Sequence, residues 1–112
     1  MSTEEELQQL ESDMQDAKHF IDIKDCTIKL FKNKEFKKVV LDYYFKEEAA
    51  RLVMAKSSNL NEEQKKMIDS MMYGIGALSN FFDSVLTRGT QAEQAFRDDE
   101  LARTEMLQED VS

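Results

Sequence analysis

The sequence predicts an all-α protein, either a helical hairpin or a bundle of three to four long, coiled-coil-like helices. Its 112 residues include no proline and only 3 glycines, so little interrupts helical propensity. Apolar residues recur at alternating steps of three and four, which is the spacing of a heptad seam. A chain of this length is expected to form a single helical domain, residues 1–112, with frayed ends at residues 1–3 and about 108–112.

The first helix is predicted from residue 4 to residue 32. Ser2 or Thr3 can cap it, since each stands three residues before a glutamate, the spacing of a capping box. Lys24 fills the one polar position of a seam made by Leu7, Leu10, Met14, Ala17, Ile21, Ile28 and Phe31. At 1.5 Å per residue this helix is about 43 Å long. A single chain of this size cannot cover such a rod fully, so we expect part of it to face another chain.

The second helix is predicted from residue 34 to residue 56, because the apolar stripe changes phase after Phe31. Asn33 is a preferred cap residue and Glu35 suits a first turn, which favours a break at Asn33. The alternative is one continuous helix with an eleven-residue stutter. The polar residues 57–59 predict a turn after this helix.

The third helix is predicted from about residue 62 to residue 88. Asn61 and Gln64 have the spacing of a capping box. Gly89 predicts the end of the third helix, and Thr90 predicts the start of a further helix. Since glycine inside a helix costs only about 1 kcal/mol, the helix could also continue through them. Residues 91–112 predict a marginal helix that ends in a frayed acidic tail.

The third helix has so broad an apolar face that we expect burial on more than one side. Gly74, Gly76 and Ala77 remove side chains from this helix, which predicts a close neighbour. That neighbour is either Tyr43 or Tyr44 of the same chain or a second copy of the chain. The predicted interface residues are Leu7, Leu10, Met14, Ile21, Ile28, Met71, Gly74, Ile75, Leu78 and Phe82.

The charge is unevenly distributed along the chain. The formal net charge is -8, which argues against duplex DNA as a partner. The bases that could contact nucleic acid, interleaved with aromatic residues, are Lys29, Lys32, Lys34, Lys37, Lys38, Lys46, Arg51 and Lys56. Acids are interspersed among them, and both ends of the chain are acidic. We therefore favour charge matching within or between chains over binding to nucleic acid.

Catalytic residues, a cofactor site and a metal site are not predicted. His19, Asp22 and Cys26 lie at steps of three and four on the first helix, a spacing that could in principle hold a metal. The chain has no second histidine or cysteine to complete such a site, so a solvated side of the helix is the better interpretation. Acidic neighbours such as Glu47 and Glu48 point about 100° apart on a helix and do not converge. The most apolar stretch, residues 67–86, is interrupted by charged and amide residues, so no membrane span is predicted.

Residues 42–53 (DYYFKEEAARLV) and 75–82 (IGALSNFF) resemble small helical proteins encoded among the structural genes of tailed bacteriophages. The resemblance covers most of residues 17–105 and leaves both acidic ends outside. It implies a self-associating, non-enzymatic assembly factor or virion component that acts in the host cytoplasm or in the particle with other phage structural proteins. The alternative is a small acidic regulator that sequesters a host protein or a signalling ligand.

Overall fold

The computed structural model describes residues 3–111, and these residues form three helices. Helix α1 spans Thr3–Lys32, α2 spans residues 34–56, and α3 spans Glu62–Val111. The connections at residue 33 and residues 57–61 are short, and the described residues contain no strand. The predicted all-α class is therefore confirmed, with three helices.

The break at Asn33 is confirmed, and its cause is local. The Asn33 backbone is extended, with φ -68° and ψ 126°. Its side-chain oxygen accepts a hydrogen bond from the Phe36 backbone N–H at 2.8 Å. This bond satisfies one of the free N–H groups at the start of α2, which is the reason that asparagine is preferred at this position.

Helix α2 has three continuous parts that the sequence did not predict. It begins with the α-helical turn Lys34–Phe36, continues as the π-helical segment Lys37–Glu48, and ends as the α-helix Ala49–Lys56. Most π-helical stretches are single-turn bulges, often at functional sites, so a segment of 12 residues is long. Along this segment Val40 and Tyr44 are half-buried, whereas Val39 and Tyr43 are exposed.

Helix α3 begins as predicted and ends later than predicted. Asn61 and Gln64 form the complete capping box, with the Gln64 N–H donating to Asn61 Oδ1 at 2.8 Å and the Asn61 N–H donating to Gln64 Oε1 at 3.1 Å. The stop at Gly89 is wrong, because the helix continues to Val111. Thr90 does not act as a cap, since its hydroxyl donates back to the Leu86 carbonyl at 3.0 Å.

The ends of the chain lie partly outside the described residues. Thr3 is the first residue of α1, so the predicted cap at Ser2 lies outside them. Residues 108–111 belong to α3, while residue 112 of the predicted frayed tail lies outside the described range.

The chain divides into two compact units. Of the described residues, 3–26 and 85–111 form unit 1, and Thr27–Ser84 form unit 2. Unit 1 is a pair of helices whose buried apolar residues are Met14, Ala17 and Ala92. Unit 2 contains all of α2 together with parts of α1 and α3, and its buried residues include Leu52 and Ile75. Each unit therefore has a small core of its own.

Candidate interaction surface

The predicted interface residues are mostly used inside the chain itself. Met14 and Ile75 are buried in the two cores, and Met71 is exposed. The others are half-buried: Leu7, Leu10, Ile21, Ile28, Gly74, Leu78 and Phe82. The heptad seams thus help to pack the helices of one chain together, and their contact with a second chain stays a prediction.

Phe82 of α3 is the centre of the aromatic core of unit 2. Its ring meets Phe31 of α1 edge-on at 5.2 Å between centroids, and Phe36 and Phe45 of α2 at 5.9 and 6.3 Å. Phe31 and Phe36 stack at 5.9 Å across the break at Asn33. Edge-to-face pairs at these distances are favourable beyond their burial, so this cluster ties all three helices together within unit 2.

Another side of α3 carries large apolar side chains that the described residues leave more than half exposed. We call it the outer face of α3, and it consists of Met67, Ser70, Tyr73, Ala77, Phe81 and Ser84, all of which are exposed. These residues follow one another at steps of three and four, so they lie along one stripe of the helix. Tyr73 is 79% exposed, Met67 63% and Phe81 56%.

The outer face also lacks charge, which is unusual for an exposed helix. No Asp, Glu, Lys or Arg occurs from residue 70 to residue 82. Solvent-facing positions of a helix normally carry charged or polar side chains. The run of uncharged residues is the sequence signal that identifies Tyr73 and Ala77 as part of an exposed apolar face. The predicted interface, which followed the heptad seams, did not include them.

The glycines of α3 differ in what surrounds them. A Cβ on Gly74 would lie 3.7 Å from the Tyr44 hydroxyl oxygen, which is ordinary van der Waals contact. A Cβ on Gly76 would meet no atom within 4 Å among the described residues, apart from the backbone of its own helix. Of the two neighbours predicted for Gly74, the structure thus shows Tyr44 of the same chain, and Gly76 faces open space.

Helix α2 adds exposed apolar residues of its own. Val39 and Tyr43 are both more than half exposed. Together with Lys38 and Glu47 they line a surface depression of about 380 Å³. Because all four residues lie on one helix, the depression is a shallow feature of the surface of α2 rather than an enclosed cavity.

Unit 1 shows the opposite arrangement, in which polar and small residues fit closely. The Lys24 stem lies against Gly89, where an added Cβ would approach the Lys24 Cδ to 2.7 Å and the Cγ to 2.9 Å. The Lys24 ammonium pairs with the Glu93 carboxylate, and the lysine side chain is only 18% exposed. Gly89 and Glu93 are four residues apart on α3 and so share one side of it. Together they accommodate the polar residue of the α1 seam.

The predicted charge matching is seen in this pair, since Lys24 belongs to the basic middle of the sequence and Glu93 to the acidic C-terminal part.

Two further cations of unit 1 lie near aromatic rings. Lys18 Nζ is 5.7 Å from the centre of the Phe96 ring, and the Arg88 guanidinium is 5.5 Å from that of Phe20. Such contacts are favourable by about 0.5–1 kcal/mol at exposed sites.

Three basic residues of α2, Lys46, Arg51 and Lys56, are paired with acids. Arg51 donates to Glu48 from Nε at 3.0 Å and from a terminal nitrogen at 2.5 Å. These hydrogen bonds and the positive charge of Arg51 lower the pKa of Glu48. The same hydrogen bonds and the negative charge of Glu48 raise the pKa of Arg51. Lys46 pairs with Asp42 at 3.7 Å, and Lys56 with Asp69 at 2.6 Å. The bases considered for nucleic acid thus include several that are already matched by acids.

The residues weighed for a metal lie on the surface of α1. Cys26 is exposed, and its sulfur is 4.0 Å from an Asp22 carboxylate oxygen. The His19 ring instead lies 5.4 Å from the Phe20 ring, edge to face. Within residues 3–111 no three His, Cys, Asp or Glu side chains are grouped to hold a metal ion.

No helix among the described residues is both long and apolar enough to cross a membrane. Comparison with known proteins adds no relative: no protein family matches the chain, and neither a curated protein nor a solved structure is similar to it. The outer face of α3 is therefore interpreted from its own geometry.

Proposed function

We propose that this protein is a non-enzymatic assembly factor that associates with itself through the exposed apolar surface of unit 2. The single observation that carries the proposal is the outer face of α3, where large apolar side chains are exposed and charge is absent from residue 70 to residue 82. Contiguous exposed apolar surface is costly in water and marks contact sites for other proteins.

The biological setting proposed for this association is the assembly of a phage particle, on the basis of the resemblance of residues 42–53 and 75–82. In that setting the protein would act in the host cytoplasm or remain in the virion beside other structural proteins. Co-sedimentation with purified particles would support this setting. A protein that stays with host factors instead would favour the acidic regulator.

Sedimentation equilibrium over protein concentrations from about 1 to 100 µM tests the self-association. The wild type should have a mass above 13.0 kDa at the upper concentrations. Tyr73→Glu should shift it towards the monomer, because a charge at an apolar interface must be desolvated. Leu101→Glu is the matched control, since Leu101 is a similarly exposed apolar residue of unit 1. A wild type that stays monomeric throughout would contradict the proposal.

A further inference from the structure

We infer that the contact of Lys24 with Gly89 and Glu93 fixes the register of α1 against α3 in unit 1. We call these three residues the register contact. The inference does not depend on the proposed self-association, since all three residues belong to unit 1 of one chain. It gives the contact a role beyond stability, which is to select one arrangement of the two helices among those that their apolar residues allow.

The apolar seam of α1 does not select a register by itself. Its apolar residues repeat at intervals of seven, as in Leu7, Met14 and Ile21. A shift of α1 by one heptad, about 10 Å along the helix axis, therefore again presents apolar side chains to α3. Lys24 is the one polar residue of this seam. A single polar residue in an apolar seam specifies register, at a cost in stability.

The site that suits this lysine occurs once among the glycines of the chain. A lysine in a seam needs space for its stem, which glycine provides, and an acid for its ammonium group. A leucine stands four positions after Gly74, and an asparagine stands four positions after Gly76. Only Gly89 is followed at this distance by an acid, Glu93. Residues four apart share one side of a helix, so the space and the acid are adjacent only here.

The direction of the lysine side chain agrees with this order. In unit 1 the two helices run antiparallel, because Lys24 lies against Gly89 whereas Lys18, earlier in α1, lies near Phe96, later in α3. Side chains of a helix lean towards its N-terminus. The Lys24 stem therefore leads from Gly89 towards the C-terminal part of α3, where its ammonium group pairs with Glu93.

A shifted register would remove the space that the stem needs. A Cβ on Gly89 would already lie 2.7 Å from the Lys24 Cδ, so the stem fills the place that a larger residue would occupy. A shift of α3 by one heptad would put Phe96 or Phe82 in the place of Gly89. The lysine side chain is only 18% exposed, and burying a charge without a partner is costly. The observed register is thus favoured over its neighbours.

A distance between two spin labels in unit 1 tests the inference. The labels are attached at Gln9→Cys and Gln91→Cys, two exposed sites, in a Cys26→Ser background, and unlabelled protein is added so that only pairs within one chain are measured. Wild type should give one distance. Lys24→Met removes the charge but keeps an unbranched stem, so a second population should appear, shifted by about 10 Å along the axis. Lys18→Met is the matched control and should keep one distance, since Lys18 is exposed and lies outside the seam.

Charge reversal tests the same contact without an apolar substitution. Lys24→Glu places a second acid beside Glu93 and should also give the second population, because like charges in the observed register repel each other. Adding Glu93→Lys to this variant should restore one distance, since the pair forms again with its charges exchanged.

The outcomes leave the proposed self-association to its own test by sedimentation. One unchanged distance in a folded Lys24→Met variant would overturn the inference, and a lower melting temperature with that result would show that the contact only stabilises the pair. If circular dichroism showed that Lys24→Met does not fold, charge reversal decides. One unchanged distance in Lys24→Glu, or a second population that Glu93→Lys does not remove, would then overturn the inference.

Discussion

Unit 1 and unit 2 solve the same packing problem with different side chains. In unit 1 the helices meet through small residues such as Ala17, Gly89 and Ala92, and a polar seam residue, Lys24, is matched by Glu93. In unit 2 they meet through the aromatic cluster at Phe82, and apolar residues remain outside as well. The difference teaches that unit 1 matches its polar seam residue within the chain, whereas unit 2 leaves more of its large apolar side chains exposed.

The exposed apolar residues show the same contrast. Among the described residues, the large ones in unit 1 are Ile23, Leu101 and Leu107, while those in unit 2 are Leu30, Val39, Tyr43, Val53, Met54, Met67, Met71, Tyr73 and Phe81. Scattered single residues of this kind are normal on any surface. The stripe on α3 is different because its members are aligned and no charge interrupts them.

The largest expected effect tests whether unit 2 has a true core of its own. Leu52 is 1% exposed, and its neighbour Val53 is 54% exposed. Leu52→Ala should lower the free energy of unfolding by about 2–5 kcal/mol, since it removes buried methyl groups and leaves a cavity. Val53→Ala should change it by no more than about 0.5 kcal/mol, as surface substitutions usually do. Urea unfolding followed by circular dichroism measures both, and equal effects would refute this assignment of inside and outside.

The next effect tests the close approach in unit 1, using the same substitution at two glycines of one helix. Gly89→Ala should destabilise the protein by about 1–3 kcal/mol, because its Cβ would overlap the Lys24 stem and the helices would have to separate. Gly76→Ala should stabilise it by about 0.5–1 kcal/mol, since the site is open and alanine is the better helix former. Thermal unfolding of the two variants should therefore move in opposite directions. If Gly89→Ala stabilised the protein instead, the close packing of the Lys24 stem on Gly89 would not be required for stability.

The smallest effect concerns the surface pair of Glu48 and Arg51 in unit 2. The hydrogen bonds from Arg51 lower the pKa of Glu48 below its ordinary value of 4.5. The pair therefore contributes to stability above that ordinary value, and the contribution is lost as the pH falls through the lowered pKa. Arg51→Ala should return the pKa of Glu48 to its usual range in an NMR pH titration. Arg51→Lys should retain part of the lowering, because it keeps the charge but not the two-nitrogen geometry. If the pKa of Glu48 stayed the same in Arg51→Ala, the hydrogen bonds from Arg51 would not be the cause of its lowering.

The sequence by itself determined the local features of this protein. Asn33 and Asn61 start α2 and α3 through hydrogen bonds to residues only three positions away, so the sequence spacing contains all the geometry that these caps need. The apolar residues of the α1 seam could also be predicted from the sequence, since their spacing follows from the period of the helix itself.

Only the tertiary structure decided the features that depend on distant partners. Glycine is a common residue just after a helix end, yet α3 continues through Gly89, where the Lys24 stem of α1 packs closely against it. Glu93, the partner of Lys24, lies 69 positions away in the sequence, and no local spacing identifies it. Which side of α3 is covered was likewise undecided by the sequence, because residues on both sides are apolar. The packing of Phe82 against Phe31, Phe36 and Phe45 settles it, and leaves Tyr73 and Phe81 outside.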